Sequence, residues 1–541
     1  MTDSGPASAT PQATAGSSRA GDHHTRERAD LKTWIGVLGA VLGAFMAVLN
    51  IQITNASLAQ IQGGIGAGID DGGWVVTSYL IGEIIVIPLT DFLSRVFSLR
   101  RYMITNVVLF LAFSALCGNA ASLGEMVTLR GIQGFCGGVL IPLAFTIVVT
   151  QLPKSQRPVG MALFAITATF APAIGPTIGG FLTDNYGWKY VFYLNLIPGA
   201  VMLGALYYAL EPSPMRLDLL KTGDWAGIAA MSVGLGCLQT ALEEGNKDDW
   251  FGSPFIVRLS VIAAISLLLF LAIELTVERP LIRLKLLRDR NFSLGLTANT
   301  LLGFALYGSG LILTLYLSQT QAYDSQQIGA VMAWTGLPQL LLIPFVPALM
   351  KRFDVRILVV GGLGVFAASF LLNIHLSQYY GGEQLLIPNI VRAVGQALVM
   401  TPLSVVAMAG IAHAEAGAAS GLFNMMRNLG GAFGTAILQT FLTRREQFHS
   451  AMINTDVSVF QAATRQRLAG LQQTFINHGV TDPELAWHKA LEAVGKSIHL
   501  QATIMGFSDA FFLLGALLII AMAVSLGMTK ASAGAGGGGA H

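Results

Sequence analysis

Long apolar runs, separated by short polar stretches, dominate this chain from residue 34 to residue 528. Each run has about 20 residues or more, which is what an α-helix needs to cross the apolar core of a bilayer. The pattern therefore predicts fourteen membrane-spanning helices, numbered as spans 1 to 14. Their expected limits are 34–56, 72–94, 101–121, 124–150, 158–182, 187–210, 224–243, 256–278, 292–318, 325–350, 355–376, 384–411, 415–442 and 502–528.

The composition agrees with this pattern. Of the 541 residues, 53% are hydrophobic and only 11% are charged, whereas soluble domains carry about 25% charged residues. Because barrel strands would be roughly 10 residues long and alternating, the long runs favour an all-α integral membrane fold. The net charge of +2 gives no indication of nucleic-acid binding. We expect no metal site and no ATP-driven mechanism, since the sequence shows neither metal-ligand spacing nor a phosphate-binding loop.

The loops indicate an orientation and a repeat. Loops that follow even-numbered spans are rich in Lys and Arg, so both termini are expected in the cytoplasm. The stretch 93–100, Leu-x-Arg-x-Phe-x-x-Arg, recurs as Leu-x-Lys-x-Phe-x-x-Arg at 349–356. Spans 1–6 and 9–14 are therefore expected to form two related halves, with a substrate site between them near the midplane. The predicted divisions are a disordered tail 1–31, an N-terminal half 32–212, two inserted helices with a basic linker 213–290, a C-terminal half 291–530 and a flexible tail 531–541.

Span 5 carries an unusual set of small residues: Gly175, Pro176, Gly179 and Gly180. Glycines four residues apart leave bare backbone on one helix face, and a proline bends the helix. Such a helix suits two bundles that rock against each other. Tight packing without any movement is the alternative that the spacing leaves open.

The same region resembles a known motif. Ala-x-x-x-Gly-Pro-x-x-Gly-Gly at 171–180, followed by Thr-Asp-Asn-Tyr-x-Trp-Lys-Tyr-Val-Phe at 183–192, is similar to the fifth-helix antiporter motif of the major facilitator superfamily. It resembles most closely the 14-helix drug–proton antiporters, which include the inner-membrane components of Emr-type tripartite pumps. The resemblance implies a major facilitator fold and proton-driven export of amphipathic toxic compounds across the bacterial inner membrane, with the proton gradient in place of a cofactor.

The resemblance also implies partners: small-molecule substrates, protons, the lipid bilayer, a periplasmic adaptor protein and an outer-membrane channel. One alternative is a dedicated exporter of one metabolite, such as a siderophore or a fatty acid. Another is a membrane-embedded enzyme or sensor. The sequence offers no catalytic constellation for an enzyme, so a transporter is expected.

Ionisable residues inside spans are rare and usually functional. Glu83, at the centre of span 2, is the first candidate for the proton carrier, because a carboxyl group can bind a proton from one side and release it to the other. A permanent pair with an arginine, or packing against a water-filled cavity, would also explain it.

Three arginines accompany this glutamate in the spans. Arg130 matches the fourth-helix motif Leu-x-x-x-Arg-x-x-Gln-Gly, whose Arg is implicated in proton transfer in the family, and a hydrogen-bond anchor is the alternative. Arg427, in span 13, is a further proton-coupling candidate, as a counter-ion to Glu83 or as a cavity charge for anionic groups, and a hydrogen-bond anchor is again the alternative. The candidates for the substrate cavity are Asn50, Asn55, Gln133, Asn424 and Arg392.

Two departures from the family pattern affect the expected mechanism. Span 1 has Asn50 where related pumps have an acidic residue, and Asn cannot carry a proton at neutral pH. Glu83 is expected to take over that role. After span 2, the Asp of the superfamily loop motif is absent, and Arg95 stands in its place.

The segment 443–501 is expected outside the membrane. Val457, Phe460, Leu468, Leu471 and Phe475 are predicted to lie on one face of a helix that extends span 13. That helix would dock the adaptor or fold back on the transporter itself.

Overall fold

A computed structural model describes residues 28–68, 71–153, 155–277, 280–412, 415–458 and 460–530, without the side chains of residues 168, 169 and 325. Most of the two predicted tails, residues 1–27 and 531–541, lies outside the described residues. The helices are α1 (Leu31–Ala56), α2 (Leu58–Ile65), α3 (Trp74–Phe97), α4 (Leu99–Cys117), α5 (Leu123–Gly138), α6 (Leu140–Gln151), α7 (Arg157–Tyr186), α8 (Lys189–Tyr193), α9 (Leu196–Ala209), α10 (Trp225–Glu244), α11 (Pro254–Thr276), α12 (Arg290–Thr320), α13 (Ser325–Leu342), α14 (Val346–Arg352), α15 (Val355–Leu371), α16 (Gly382–Met408), α17 (Ala416–Asp456), α18 (Ala462–Asn477) and α19 (Pro483–Leu526).

The all-helical membrane fold predicted from the apolar runs is confirmed. In the described part of the chain, twelve helical segments are long and apolar enough to cross a membrane. Helices also cover the other two predicted spans: α15 has 17 residues and α17 has 41. The structure therefore agrees with a membrane fold of around fourteen helices.

Aspartates fix the start of several helices. In α13, the Asp324 side chain accepts the backbone N–H of Gln327 at 2.8 Å, and the Gln327 side chain accepts the backbone N–H of Asp324 at 3.0 Å. This reciprocal pair satisfies donors that the first turn of a helix leaves free. An Asp side chain also caps α1, α10, α12, α15 and α19. The polar breaks between apolar runs thus determine where these helices begin.

Two groups of helices pack in corresponding ways. α1 lies against α6, α7 and α9, and α12 lies against α16, α17 and α19. Likewise, α3 and α4 pack on α5, whereas α13 and α15 pack on α16. One large apolar core lies within the first group, and a second lies mainly in the other group and extends to α3, α7 and α10.

The two groups meet along two seams. In the first seam α7 packs against α13 and α16, and in the second seam α17 packs against α3 and α6. The inserted helix α10 contacts both α3 and α17, so it covers the second seam. Its neighbour α11 exposes many apolar side chains, among them Ile265, Leu268 and Leu275, as expected of a surface in contact with lipid.

Both ends of the described chain lie at one end of the bundle, which we call the termini face. There Ala29 bonds to the loop between α6 and α7, and Met528 bonds to an arginine at the start of α15. The two groups are joined at this face, because Asp91 near the end of α3 contacts Gly417 at the start of α17.

The segment predicted outside the membrane is mostly helical. α17 continues past residue 442 to Asp456, and α19 begins at Pro483 rather than at 502. Between them, α18 packs on α19 and buries Leu468. Val457 and Phe460 come after α17, which ends at Asp456, and before α18, which begins at Ala462. The predicted five-residue face is therefore wrong at these two positions, and its other three residues lie on α18 rather than on the helix that extends span 13.

Candidate functional site

Arg130 of α5 is completely buried and connects three helices. Its Nη1 donates to Asn50 Oδ1 in α1 at 2.6 Å and to Gln133 Oε1 at 2.8 Å. Its Nε donates to the carbonyl oxygen of Val75 in α3 at 3.2 Å. The guanidinium also lies 4.3 Å from the centre of the Tyr79 ring, a cation–π contact. The structure thus brings the candidates Asn50, Arg130 and Gln133 into one cluster, which we call the Arg130 cluster.

Glu83 lies at the second seam and is 4% exposed. Its Oε1 accepts a hydrogen bond from Nδ2 of Asn428 in α17 at 3.0 Å, and its Oε2 has no partner among the described residues. The adjacent Arg427 donates from Nη2 to Asn424 Oδ1 at 2.9 Å. The charges of Arg427 and Arg130 both act on the Glu83 carboxylate, although their hydrogen bonds go to amide and backbone oxygens. We call Glu83, Asn428, Arg427 and Asn424 the seam cluster.

Arg392 of α16 lies apart from both clusters. It is 6% exposed, stands 5.9 Å from the centre of the Phe370 ring, and has an Nε without a partner in the described structure. It lines a small crevice together with Phe370 and Phe511. One turn further along, Gln396 Oε1 accepts from Gln339 Nε2 of α13 at 2.5 Å. The remaining candidate, Asn55, is exposed near the end of α1.

The glycine motif of α7 faces α1. A Cβ at Gly179 would lie 3.0 Å from the carbonyl oxygen of Ile53, and a Cβ at Gly175 would meet Gln52. Gly180 and Pro176 are also buried, and α7 continues through Pro176 without a break. The motif therefore lets α7 approach α1 closely.

The opposite side of α7 meets α13 in the first seam. A Cβ at Gly336 of α13 would lie 2.6 Å from the Cβ of Ala173. The helix that carries the motif is therefore held between the two groups.

The superfamily loop motif has an Asp at the position that Arg95 occupies in this chain. Asp91, one turn earlier, supplies an acidic side chain in its place. It lies one turn before Arg95 in α3 and bonds to Arg95 Nη2 at 2.6 Å. Its Oδ1 fills the space into which a Cβ at Gly417 would project, in the first turn of α17. A helix N-terminus attracts negative charge. The acidic contact between the groups is therefore present, but from a position one turn earlier.

Sequence reasoning missed three functional candidates: Asn428, Asp91 and Tyr79. Asn428 is a polar residue inside a predicted span and adjacent to Arg427, which is the signal that would have identified it. Asp91 was visible only as a departure from a motif. Within the described ranges, no group of three or more His, Cys, Asp or Glu residues is arranged to hold a metal ion.

Comparisons with known proteins place the chain among transporters. Residues 40–435 match the Major Facilitator Superfamily. The chain is 32% identical to the Colistin resistance protein EmrB of Acinetobacter baumannii, over 92% of this chain and 96% of the relative. It is 30% identical to the Fatty acid resistance protein FarB of Neisseria gonorrhoeae, with the same coverage. It is 29% identical to the Multidrug export protein EmrB of Escherichia coli K12, over 80% of this chain and 85% of the relative.

A solved structure, the human organic anion transporter MFSD10 (TETRAN), has a similar fold. It aligns with a TM-score of 0.52 and 16% sequence identity, over 90% of this chain and 99% of that chain.

Proposed function

Because this chain belongs to the Major Facilitator Superfamily, we propose that it exports amphipathic drugs and other toxic compounds across the bacterial inner membrane, driven by the proton gradient. It is a transporter rather than an enzyme. Relatives named for colistin, fatty-acid and multidrug resistance support a broad substrate range over a dedicated exporter of one siderophore or fatty acid. Alternating access takes place between the halves 32–212 and 291–530.

The observation that carries the proposal is the hydrogen bond between Glu83 and Asn428, because it joins α3 to α17 across the second seam. The unpaired Oε2 is available to take up a proton. Protonation removes the negative charge on which Arg130 and Arg427 act. The attraction across the seam then weakens, and it returns when the proton leaves.

The other candidates have supporting roles in this proposal. Arg130 fixes the position of Asn50 and Gln133 beside α3. Asn424 contributes a polar group to the seam between the halves, Arg392 lies within the C-terminal half, and Asn55 is exposed near the end of α1. The glycine motif of α7 lets this helix shift against α1; it consists of Gly175, Pro176, Gly179 and Gly180.

The helical segment 443–501 is the proposed contact for a periplasmic adaptor, which would lead to an outer-membrane channel. Phe448, Met452 and Phe460 are exposed there, which supports a protein contact. Both termini would then lie in the cytoplasm, in agreement with the basic loops. A photoreactive cross-linker at Phe460 should capture the adaptor in intact cells, whereas one at Leu268 on α11 should not.

Proteoliposomes test the proposed coupling. We expect the protein to move a fluorescent amphipathic dye when a pH gradient is applied. Glu83→Gln keeps the acceptor oxygen for Asn428 but cannot exchange a proton. It should lose gradient-driven transport while it retains counterflow of labelled dye.

Glu484→Gln provides a control, because Glu484 lies in the first turn of α19, outside the predicted spans. This variant should behave as the parent protein does. Gradient-driven transport by Glu83→Gln at the parent rate would refute the role of Glu83, and failure to transport both cationic and anionic dyes would refute the export function.

A further inference from the structure

Three buried arginines in the spans have no acidic partner among the described residues. Arg130, Arg392 and Arg427 are 0%, 6% and 4% exposed. Each has a fully buried nitrogen without a hydrogen-bond acceptor in the described structure: Nη2 of Arg130, Nε of Arg392 and Nε of Arg427. Their contacts are to amide and backbone oxygens and to aromatic rings. Buried charges are normally paired, because an unpaired one is costly to remove from water.

Nearby amide groups share this excess of donors. Asn50 Nδ2 and Gln133 Nε2, both in the Arg130 cluster, also lack an acceptor in the described structure. Their oxygens are used by Arg130. Among the described residues, five buried side-chain nitrogens therefore lack an acceptor, three on arginines and two on amides, and several buried hydroxyl groups are unpaired as well.

Carboxylates do not balance this charge. Of the buried carboxylates in the described residues, Glu244 bonds to Thr77 and lies 3.3 Å from Lys247. Glu274 accepts the backbone N–H groups of residues 281 and 282. Glu83 is the buried carboxylate of the described residues that lies near Arg130 and Arg427. Even with Glu83 ionised, these two positive charges face one negative charge, and Arg392 faces none in the described part of the chain.

We propose that the transported compounds are amphipathic anions, whose acidic group supplies the missing counter-charge to Arg427 and Arg392. These two arginines retain slight exposure, whereas Arg130 is fully enclosed. A guanidinium presents paired N–H groups that match a carboxylate, sulfonate or phosphate. A cationic compound would meet repulsion from the same arginines.

This inference rests on the proposed export function, but not on the role of Glu83 in proton coupling. The inside-negative membrane potential would itself favour movement of an anion outward. The sign of the substrate charge can therefore be tested separately from the coupling acid.

The experiment uses two dansyl-labelled probes with the same alkyl chain, one ending in a carboxylate and one in an ammonium group. Fluorescence titration of the purified full-length protein in detergent should give a dissociation constant at least tenfold lower for the carboxylate probe. Arg427→Gln and Arg392→Gln should each weaken binding of that probe about tenfold, which is about 1.4 kcal/mol. Their affinity for the ammonium probe should not fall.

Two further variants keep the test decisive. Arg427→Lys retains the charge but loses the planar fork, and it should bind the carboxylate probe with intermediate affinity even if Arg427→Gln fails to fold. Arg258→Gln, at an exposed arginine of α11, should leave both affinities unchanged.

Equal affinity for the two probes, no binding of the carboxylate probe, or full affinity in Arg427→Gln and Arg392→Gln would overturn the proposal. Selective binding without transport in proteoliposomes would instead contradict the export function and leave the anion site intact.

Discussion

Asp91 provides the most direct test of how the two groups of helices are held together. Asp91→Asn removes a negative charge from the first turn of α17, where Asp91 contacts Gly417. A charge at a partly buried helix N-terminus contributes about 0.3–2 kcal/mol. The bond from Asp91 to Arg95 lies within α3, so its loss does not act across the seam. We therefore expect the closed arrangement at the termini face to lose about 1 kcal/mol, which is about a fivefold shift in population.

Spin labels at the exposed positions Arg101 and Arg290 measure this shift, because they lie at the termini face on opposite groups. Asp91→Asn should increase the population with the longer label separation about fivefold. Asp354→Asn is a matched control. Asp354 is as exposed as Asp91, with 18% for each side chain, and it also pairs with an arginine, Arg356 at 2.8 Å. However, it caps its own helix α15.

An unchanged distance distribution in a monodisperse Asp91→Asn protein would refute the charge–dipole argument. An equal shift in Asp354→Asn would refute it as well, since that variant leaves the contact between α3 and α17 intact.

Three further substitutions test the site. Asn428→Ala removes the donor to Glu83 Oε1, so gradient-driven transport should fall while counterflow remains, and a parent-like rate would contradict a role of this bond. Asn50→Asp places a carboxylate at the oxygen 2.6 Å from Arg130, and thermal unfolding should occur at a higher temperature, because the buried cation gains a counter-charge. Gly175→Val should lower the unfolding temperature and abolish transport, because its side chain would collide with α1; unchanged unfolding would show that the two helices can separate without cost.

Hydropathy was sufficient to predict the fold, because a helix that crosses lipid needs both length and apolar side chains. Hydropathy was insufficient outside the lipid, where a helix needs neither a fixed length nor apolar side chains. The predicted start of the last span, residue 502, lies 19 residues after Pro483, where α19 begins. Outside the apolar core a helix can continue through polar sequence, so hydropathy does not mark its end.

The site was predictable as individual residues but not as contacts. A buried charge or amide in an apolar run is visible in the sequence, and Glu83, Arg130 and Arg427 were identified in this way. The bond between Glu83 and Asn428 joins residues 345 positions apart. It depends on how two groups of helices dock, which no local pattern contains. Asp91 was hidden for a related reason, since its partner Gly417 lies in a distant helix.

The polar contacts across the second seam are few and individually weak, which bears on how the protein can switch. Asp91 meets Gly417 at the termini face, Ser420 Oγ donates to the carbonyl oxygen of Pro142 at 3.2 Å, and Glu83 meets Asn428 deeper in the bundle. Each such contact contributes on the order of 1 kcal/mol.

If one arrangement of the halves loses these contacts and the other forms contacts of similar strength, the two arrangements differ in free energy by only a few kcal/mol. A ligand shifts such an equilibrium by its difference in affinity for the two states. A proton binds at Glu83 and an anionic group binds at Arg427, both within or beside this seam. The free energy of either event is comparable with that of the contacts that hold the seam closed. Because the second seam has few polar contacts and each is weak, a single bound charge is enough to reverse the direction of access.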